Sequence, residues 1–242
     1  MNFSLEIGPK TDLSTLPTLK DVYITMLPGG DYKETAGQAA NLVKKGLNPI
    51  PHFPARSIKN LEELKEFVNI CRDGGTKQAL VIGGSSQPIG DFHSSLQLLE
   101  TGLFDGFKIG IAGHPDGSPD ISDKDLEKAM TDKKPFADYI VTQWLLDADC
   151  ISKFISKQSL PVHVGITGPL KISSLLKFAN IVGAKNSLNF IKSNMTKAVD
   201  LIKPRDPNDI IEKLKGSTKN FHIYTFGGLK ETNKWLMENN YA

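Results

Sequence analysis

FKIGIAGHPDGSPD, residues 107–120, decides how the rest of the chain is read. It opens as a short apolar run with Ile109, Ile111 and Ala112, then breaks into a loop dense in Gly, Pro and Asp that carries one histidine. A strand covered on both faces reads as a near-continuous apolar run. A polar loop directly after such a strand suits ligand chemistry, because a rigid element holds the loop in place. The same order of strand, polar tip and helix recurs from end to end. Strands are expected at 3–7, 22–27, 48–53, 79–83, 108–113, 138–144, 161–167 and 221–226. Helical patterns fall at 35–45, 61–71, 92–99, 124–130, 150–156 and 173–182, then at 187–201 and 207–214 before the last strand, and at 229–237 after it. In LEELKEFVNIC, residues 61–71, Leu61, Leu64, Phe67 and Val68 share one stripe, the spacing of an amphipathic helix.

Alternating strands and helices call for a parallel sheet, since parallel neighbours need a crossover between them. Eight repeats call for closure, so the expected fold is α/β: a single (β/α)8 TIM barrel over residues 1–242, with extra helices before the eighth strand. An open doubly wound sheet would carry a Gly-rich phosphate loop after its first strand, whereas this strand ends in Gly8-Pro9-Lys10. The first crossover, 11–20, is short and contains Pro17, so its helix is expected to be irregular or missing.

Composition narrows the function. At 242 residues and 39% hydrophobic, the chain can bury one large core. A formal charge of +2 gives no electrostatic case for nucleic acid or an anionic membrane. Cys71 and Cys150 lie far apart and form neither a disulfide framework nor a zinc spacing. No apolar run approaches the ~20 residues that span a bilayer. The N-terminus runs straight into the first strand, so a cytoplasmic protein is expected. Zinc signatures, a G-x-S-x-G elbow and a P-loop are all missing from the sequence.

In a barrel of this kind the active groups come from the carboxyl ends of the strands. Those tips are Glu6, Thr25, His52, Gly83 and Gly84 with Ser85, His114, Gln143, Thr167 and Thr225. Each has a structural alternative: strand residues for the threonines, hydrogen-bonded core histidines, turn glycines. As a set they make a polar ring around an apolar mouth. One carboxyl group managing a proton beside a large heteroaromatic ligand fits that ring. Burial is expected to raise the Glu6 pKa, so that it holds a proton near neutrality and serves as a general acid.

Seven stretches carry a resemblance: LEIGPKT (5–11), IPHFPARS (50–57), LVIGGSSQPIG (80–90), IAGHPDGSPD (111–120), ADYIVTQWLLD (137–147), PVHVGITGP (161–169) and FHIYTF (221–226). In this order the chain resembles a short member of the methylenetetrahydrofolate reductase family, flavin-dependent barrels of one-carbon metabolism. The resemblance implies tetrahydrofolate as substrate, FAD as hydride carrier and NAD(P)H as reductant, interconverting 5,10-methylene- and 5-methyltetrahydrofolate. It assigns Glu6 to catalysis and Gln143, Ser85 and Thr167 to folate. It assigns Thr25, His52, Gly83, Gly84, His114, Asp116, Ser118 and Lys133 to the cofactor, with no metal. Departures fall on the flavin side: Gly83-Gly84-Ser85 replaces an acidic strand end, and His114 and Ser118 replace an aromatic ring and a histidine. Any flavin is therefore expected to be held weakly. Two other readings remain open, a flavin-free folate-dependent methyl or methylene transferase and a non-catalytic folate-binding subunit. Oligomeric state is left open, a homo-oligomer included.

Overall fold

The computed structural model describes residues 1–84, 87–118, 121–182 and 205–241. All eight expected strands form: β1 (Asn2–Ile7), β2 (Asp21–Ile24), β3 (Asn48–Pro54), β4 (Gln78–Ile82), β5 (Lys108–Gly113), β6 (Tyr139–Thr142), β7 (Val162–Thr167) and β8 (Asn220–Tyr224). Each pairs in parallel with the next, and β8 pairs with β1, so the sheet closes into a barrel. The fold is the expected (β/α)8 barrel. Closure removes both sheet edges, which would otherwise expose unpaired backbone groups.

Strand alternation sorts the side chains into two cores. Phe3, Leu5 and Ile7 of β1 and Phe221 and Ile223 of β8 face outward and pack with the surrounding helices. The interior is a separate cluster of Tyr23, Ile50, Leu80, Tyr139 and Val141, with Ile82 against it. Ser4 and His222 also face inward, joined by a contact of 3.1 Å between Oγ and Nδ1. Gly110 of β5 makes room for this filling: a Cβ there would come 2.6 Å from the Tyr139 ring.

The outer layer is α1 (Tyr32–Lys44), α2 (Leu61–Asp73), α3 (Ser95–Leu99), α4 (Asp123–Lys133), α5 (Ala148–Ser156), α6 (Ile172–Val182), α7 (Asn208–Leu214) and α8 (Leu229–Glu238). α2 buries Leu64, Phe67, Val68 and Cys71, while Leu61 remains exposed. Three caps set where helices begin: Asp31, Asn60 and Asp147 each accept a backbone N–H of the first turn. In the first crossover a 3-10 turn, Leu13–Thr15, stands where a helix would be, as Pro17 implied. Strand β6 stops before Trp144, whose side chain leaves the sheet to pack with Leu146, Leu170 and Leu175. The expected helix at 187–201, together with Ser85, lies outside the described residues. Among the described residues no helix is long and apolar enough to cross a membrane.

Candidate active site

Parallel strands put every carboxyl end at one mouth, and Glu6 lies just inside it. Its Oε2 is 3.4 Å from His52 Nε2 and 3.6 Å from His222 Nε2. Both distances are ion-pair range, although neither imidazole nitrogen makes an aligned hydrogen bond. Oε1 makes no hydrogen bond or ion pair to a described residue, and the Glu6 side chain keeps 16% of its surface exposed. The three residues come from β1, β3 and β8, neighbours only because the barrel closes.

Burial pushes the Glu6 pKa up, but the hydrogen-bonding field of His222 and the charges of His52 and His222 outweigh it, and the net shift is downward. The expected raised pKa is therefore corrected: at neutral pH Glu6 is a carboxylate, a base rather than an acid. Desolvation lowers His52 to about 4 despite the pull of Glu6, so its ring is neutral. The Ser4 hydroxyl donates to the Phe221 carbonyl at 3.4 Å, and its Oγ lies 3.1 Å from His222 Nδ1, a contact in which either atom can donate.

The other expected residues are distributed around this centre. Thr25 continues the β1–β2 ladder, its N–H donating to the Ile7 carbonyl at 2.9 Å and its hydroxyl to the same oxygen at 3.3 Å. Thr225, just beyond β8, donates to the Glu6 carbonyl at 2.8 Å and so positions β1. Gln143 stands at the carboxyl end of β6 with its Oε1 accepting from Trp144 N–H at 3.1 Å. Thr167 is buried beside Tyr224 in the ladder. Gly84 adopts φ +86°, a backbone that favours glycine. Its carbonyl accepts from Arg56 Nη1 at 3.3 Å, while the Gly83 carbonyl accepts from Arg56 N–H at 3.0 Å.

A second group follows β5. His114 is pushed down to about 4, chiefly by burial and then by the nearby charge of Lys133. Lys133, at the end of α4, is buried with no acidic partner among the described residues, and desolvation lowers its pKa. Burial raises Asp116, and Ser118 bridges to Ile121 across the loop. Among the described residues, the ion-pair partners of Glu6 are His52 and His222, not this group.

Sequence reasoning missed His222, Ser4, Tyr224 and Arg56. Strand parity held the signal for the first: in FHIYTF the apolar Phe221 and Ile223 alternate with His222 and Tyr224. Tyr224 donates to the Thr142 carbonyl at 3.0 Å, closing the mouth between β8 and β6. A hollow at the opposite, amino-terminal face is lined by residues such as Leu160, Pro161, Lys219 and Asn220, with no His, Cys, Asp or Glu. It lies away from the strand ends where barrels of this class place their chemistry. Among the described residues no group of three or more His, Cys, Asp or Glu side chains is arranged to hold a metal ion.

No family model matches the chain. Solved structures match its whole length. Oxaloacetate acetylhydrolase aligns with TM-score 0.59 and 10% identity, over 100% of this chain and 81% of that one. The 2,3-dimethylmalate lyase, a PEP mutase/isocitrate lyase superfamily member, aligns with TM-score 0.56 and 8% identity, over 99% and 83%. Tryptophan synthase from M. tuberculosis aligns with TM-score 0.55 and 7% identity, over 98% and 91%. At such identities the likeness establishes the fold.

These neighbours overturn the expected membership of the methylenetetrahydrofolate reductase family. With it go the folate reductase activity, FAD, tetrahydrofolate and NAD(P)H, and the two folate-based alternatives. The reason lies in where the seven stretches sit. They are strand ends and the turns after them, and any (β/α)8 barrel needs an apolar strand followed there by Gly, Pro and polar residues. The flavin assignments for Thr25, His52, Gly83, Gly84, His114, Asp116, Ser118 and Lys133 lose their ligand. His52 is turned instead toward Glu6.

Proposed function

We propose that the chain is a lyase- or mutase-type enzyme acting on a small 2-oxo or 2-hydroxy carboxylic acid, with Glu6 as the base. One observation carries this reading: a carboxylate held ionised at a barrel mouth, with one oxygen turned to two imidazoles and the other without a hydrogen-bond partner among the described residues. Oxaloacetate and 2,3-dimethylmalate, named for two structural neighbours, support the substrate class. Local charge supports it as well. Arg56 and Lys133 have no acidic partner among the described residues, and their positive potential favours an anionic substrate.

Among the described residues the groups that face Glu6 are imidazoles, whereas a hard divalent cation prefers oxygen ligands. In a C–C cleavage, Glu6 Oε1 takes the hydroxyl proton of a 2-hydroxy acid as the C–O bond becomes a carbonyl. The breaking C–C bond leaves its electron pair as an enolate, which takes a proton from solvent at the open mouth to complete the turnover. Between turnovers the Nε2 atoms of His52 and His222 face the Glu6 carboxylate.

The test is an NMR assay of the purified protein on oxaloacetate, malate and alkyl-substituted malates. Cleavage or isomerisation of one of them is expected, and Glu6→Gln, which keeps shape without basicity, should lower its rate by about 10²-fold or more. A parent protein inert toward all of them, or a Glu6→Gln variant as fast as the parent, would overturn the reading.

A further inference from the structure

The barrel axis beneath Glu6 is polar where an aliphatic filling would pack as well. Tyr23 and Tyr139 are fully buried, and neither hydroxyl has a hydrogen bond to a described residue. They come from β2 and β6, four strands apart in an eight-stranded barrel and hence on opposite walls. The two phenols lie close enough across the axis to act on one another as hydrogen-bonding groups, although their geometry falls short of an aligned bond. The Tyr23 ring lies 4.3 Å from the His222 ring and 6.1 Å from that of His52, centroid to centroid. Nε2 of both histidines is likewise buried without an aligned hydrogen bond. The two hydroxyls therefore lie in one interior with the two Nε2 atoms, which face the Glu6 carboxylate.

A buried hydroxyl without a partner is costly, and a group of them in a native core calls for an explanation. Ordered water with two to four polar partners is the usual one. Below the tyrosines the column reaches the amino-terminal face: His163 stacks on Tyr139 at 4.6 Å, and the exposed Lys108 places Nζ 5.2 Å from the same ring centroid. The titratable groups around the axis are thus Glu6, His52, His222 and Tyr224 above, Tyr23 and Tyr139 in the middle, and His163, Lys108 and Asp21 below.

We propose that the barrel axis binds ordered water between the Tyr23 and Tyr139 hydroxyls and the His52 and His222 rings, and that this chain exchanges protons with Glu6 from behind the mouth. Each water or hydroxyl along it gives one proton as it takes another, so the proton that leaves Glu6 is delivered to solvent at the amino-terminal face and no tyrosine becomes charged. The water site stands on the orphaned hydroxyls alone; its service to catalysis rests on the proposed role of Glu6.

The experiment pairs a high-resolution crystal or neutron structure with Tyr23→Phe and Tyr139→Phe, variants that delete only the hydroxyls. Solvent within hydrogen-bond distance of both hydroxyls is expected, and each variant should lose one of that water's partners. The melting temperature should then fall by about 2–4 °C, the shift of a ~1 kcal/mol loss at this size. Exchange of the His222 ring proton with solvent, read by ¹⁵N NMR, should slow in both variants. A dry axis, or Phe variants as stable as the parent or more so, would overturn the water site. Water present with unchanged His222 exchange would overturn the relay. Neither readout needs a substrate, so a failure of the proposed lyase activity would be seen separately.

Discussion

Three imidazoles and one carboxylate decide how this barrel responds to acid. Burial holds His52, His114 and His163 each near 4, against about 6.5 for a free histidine. The unfolded chain therefore takes up protons that the folded chain refuses. Stability is fully present above pH 6.5 and is lost as pH falls from there toward 4. Glu6 acts in the same direction at the lower end: its folded pKa lies below the ordinary 4.5, so its contribution is lost as pH falls through that lowered value. Calorimetric melts should show the midpoint falling steadily between pH 7 and pH 4.5. His114→Asn, which removes one of the three histidines without touching Glu6, should make the fall shallower. A midpoint that stays flat over that window would mean the rings are hydrated and titrate normally.

At the scale of one element, α5 shows how a cap fixes both a helix and a loop. Asp147 accepts from the N–H groups of Asp149 and Cys150, both at 3.0 Å. It thereby satisfies two of the donors that a helix start leaves free. Cys150 in turn donates through Sγ to the Pro115 carbonyl at 3.2 Å, tying the β5 loop to the helix. Asp147→Ala should cost about 1 kcal/mol in a urea melt, and Asp147→Asn, an equally good cap, should restore most of it. Equal losses in both variants would place the contribution in charge and not in capping. The β5 loop is thus held by its neighbour, which the loop's own sequence does not reveal.

The whole molecule depends on one seam, β1 against β8. Phe221 stacks on Phe3 at 5.6 Å, and Trp235 of α8 meets Phe3 edge-on at 6.0 Å, so the last strand and helix lock the first strand in place. Phe221→Ala removes a fully buried ring from that seam and should lower unfolding stability by about 3–5 kcal/mol. A urea midpoint unchanged from the parent would show that closure is carried by the ladder alone. The same seam forms the candidate site, because it brings His222 to Glu6 across nearly the full length of the chain.

What the sequence determined by itself was the order of elements. Each strand is an apolar run bounded by Gly, Pro or Asp, each helix an amphipathic stripe, and those patterns are local, so they can be read without neighbours. Pro17 told of the missing first helix for the same reason. Glu6, His52 and Gln143 could be placed at a mouth once eight parallel strands were assumed. Which of them act together was decided by tertiary structure. The ionisation of Glu6 depends on His222 and His52, residues joined to it by barrel closure and register rather than by sequence. Burial alone would have raised that carboxyl; two imidazoles from distant strands lower it. Motifs at strand ends report that a barrel has a mouth, whereas the chemistry of the mouth is set by what the closing strands put opposite one another.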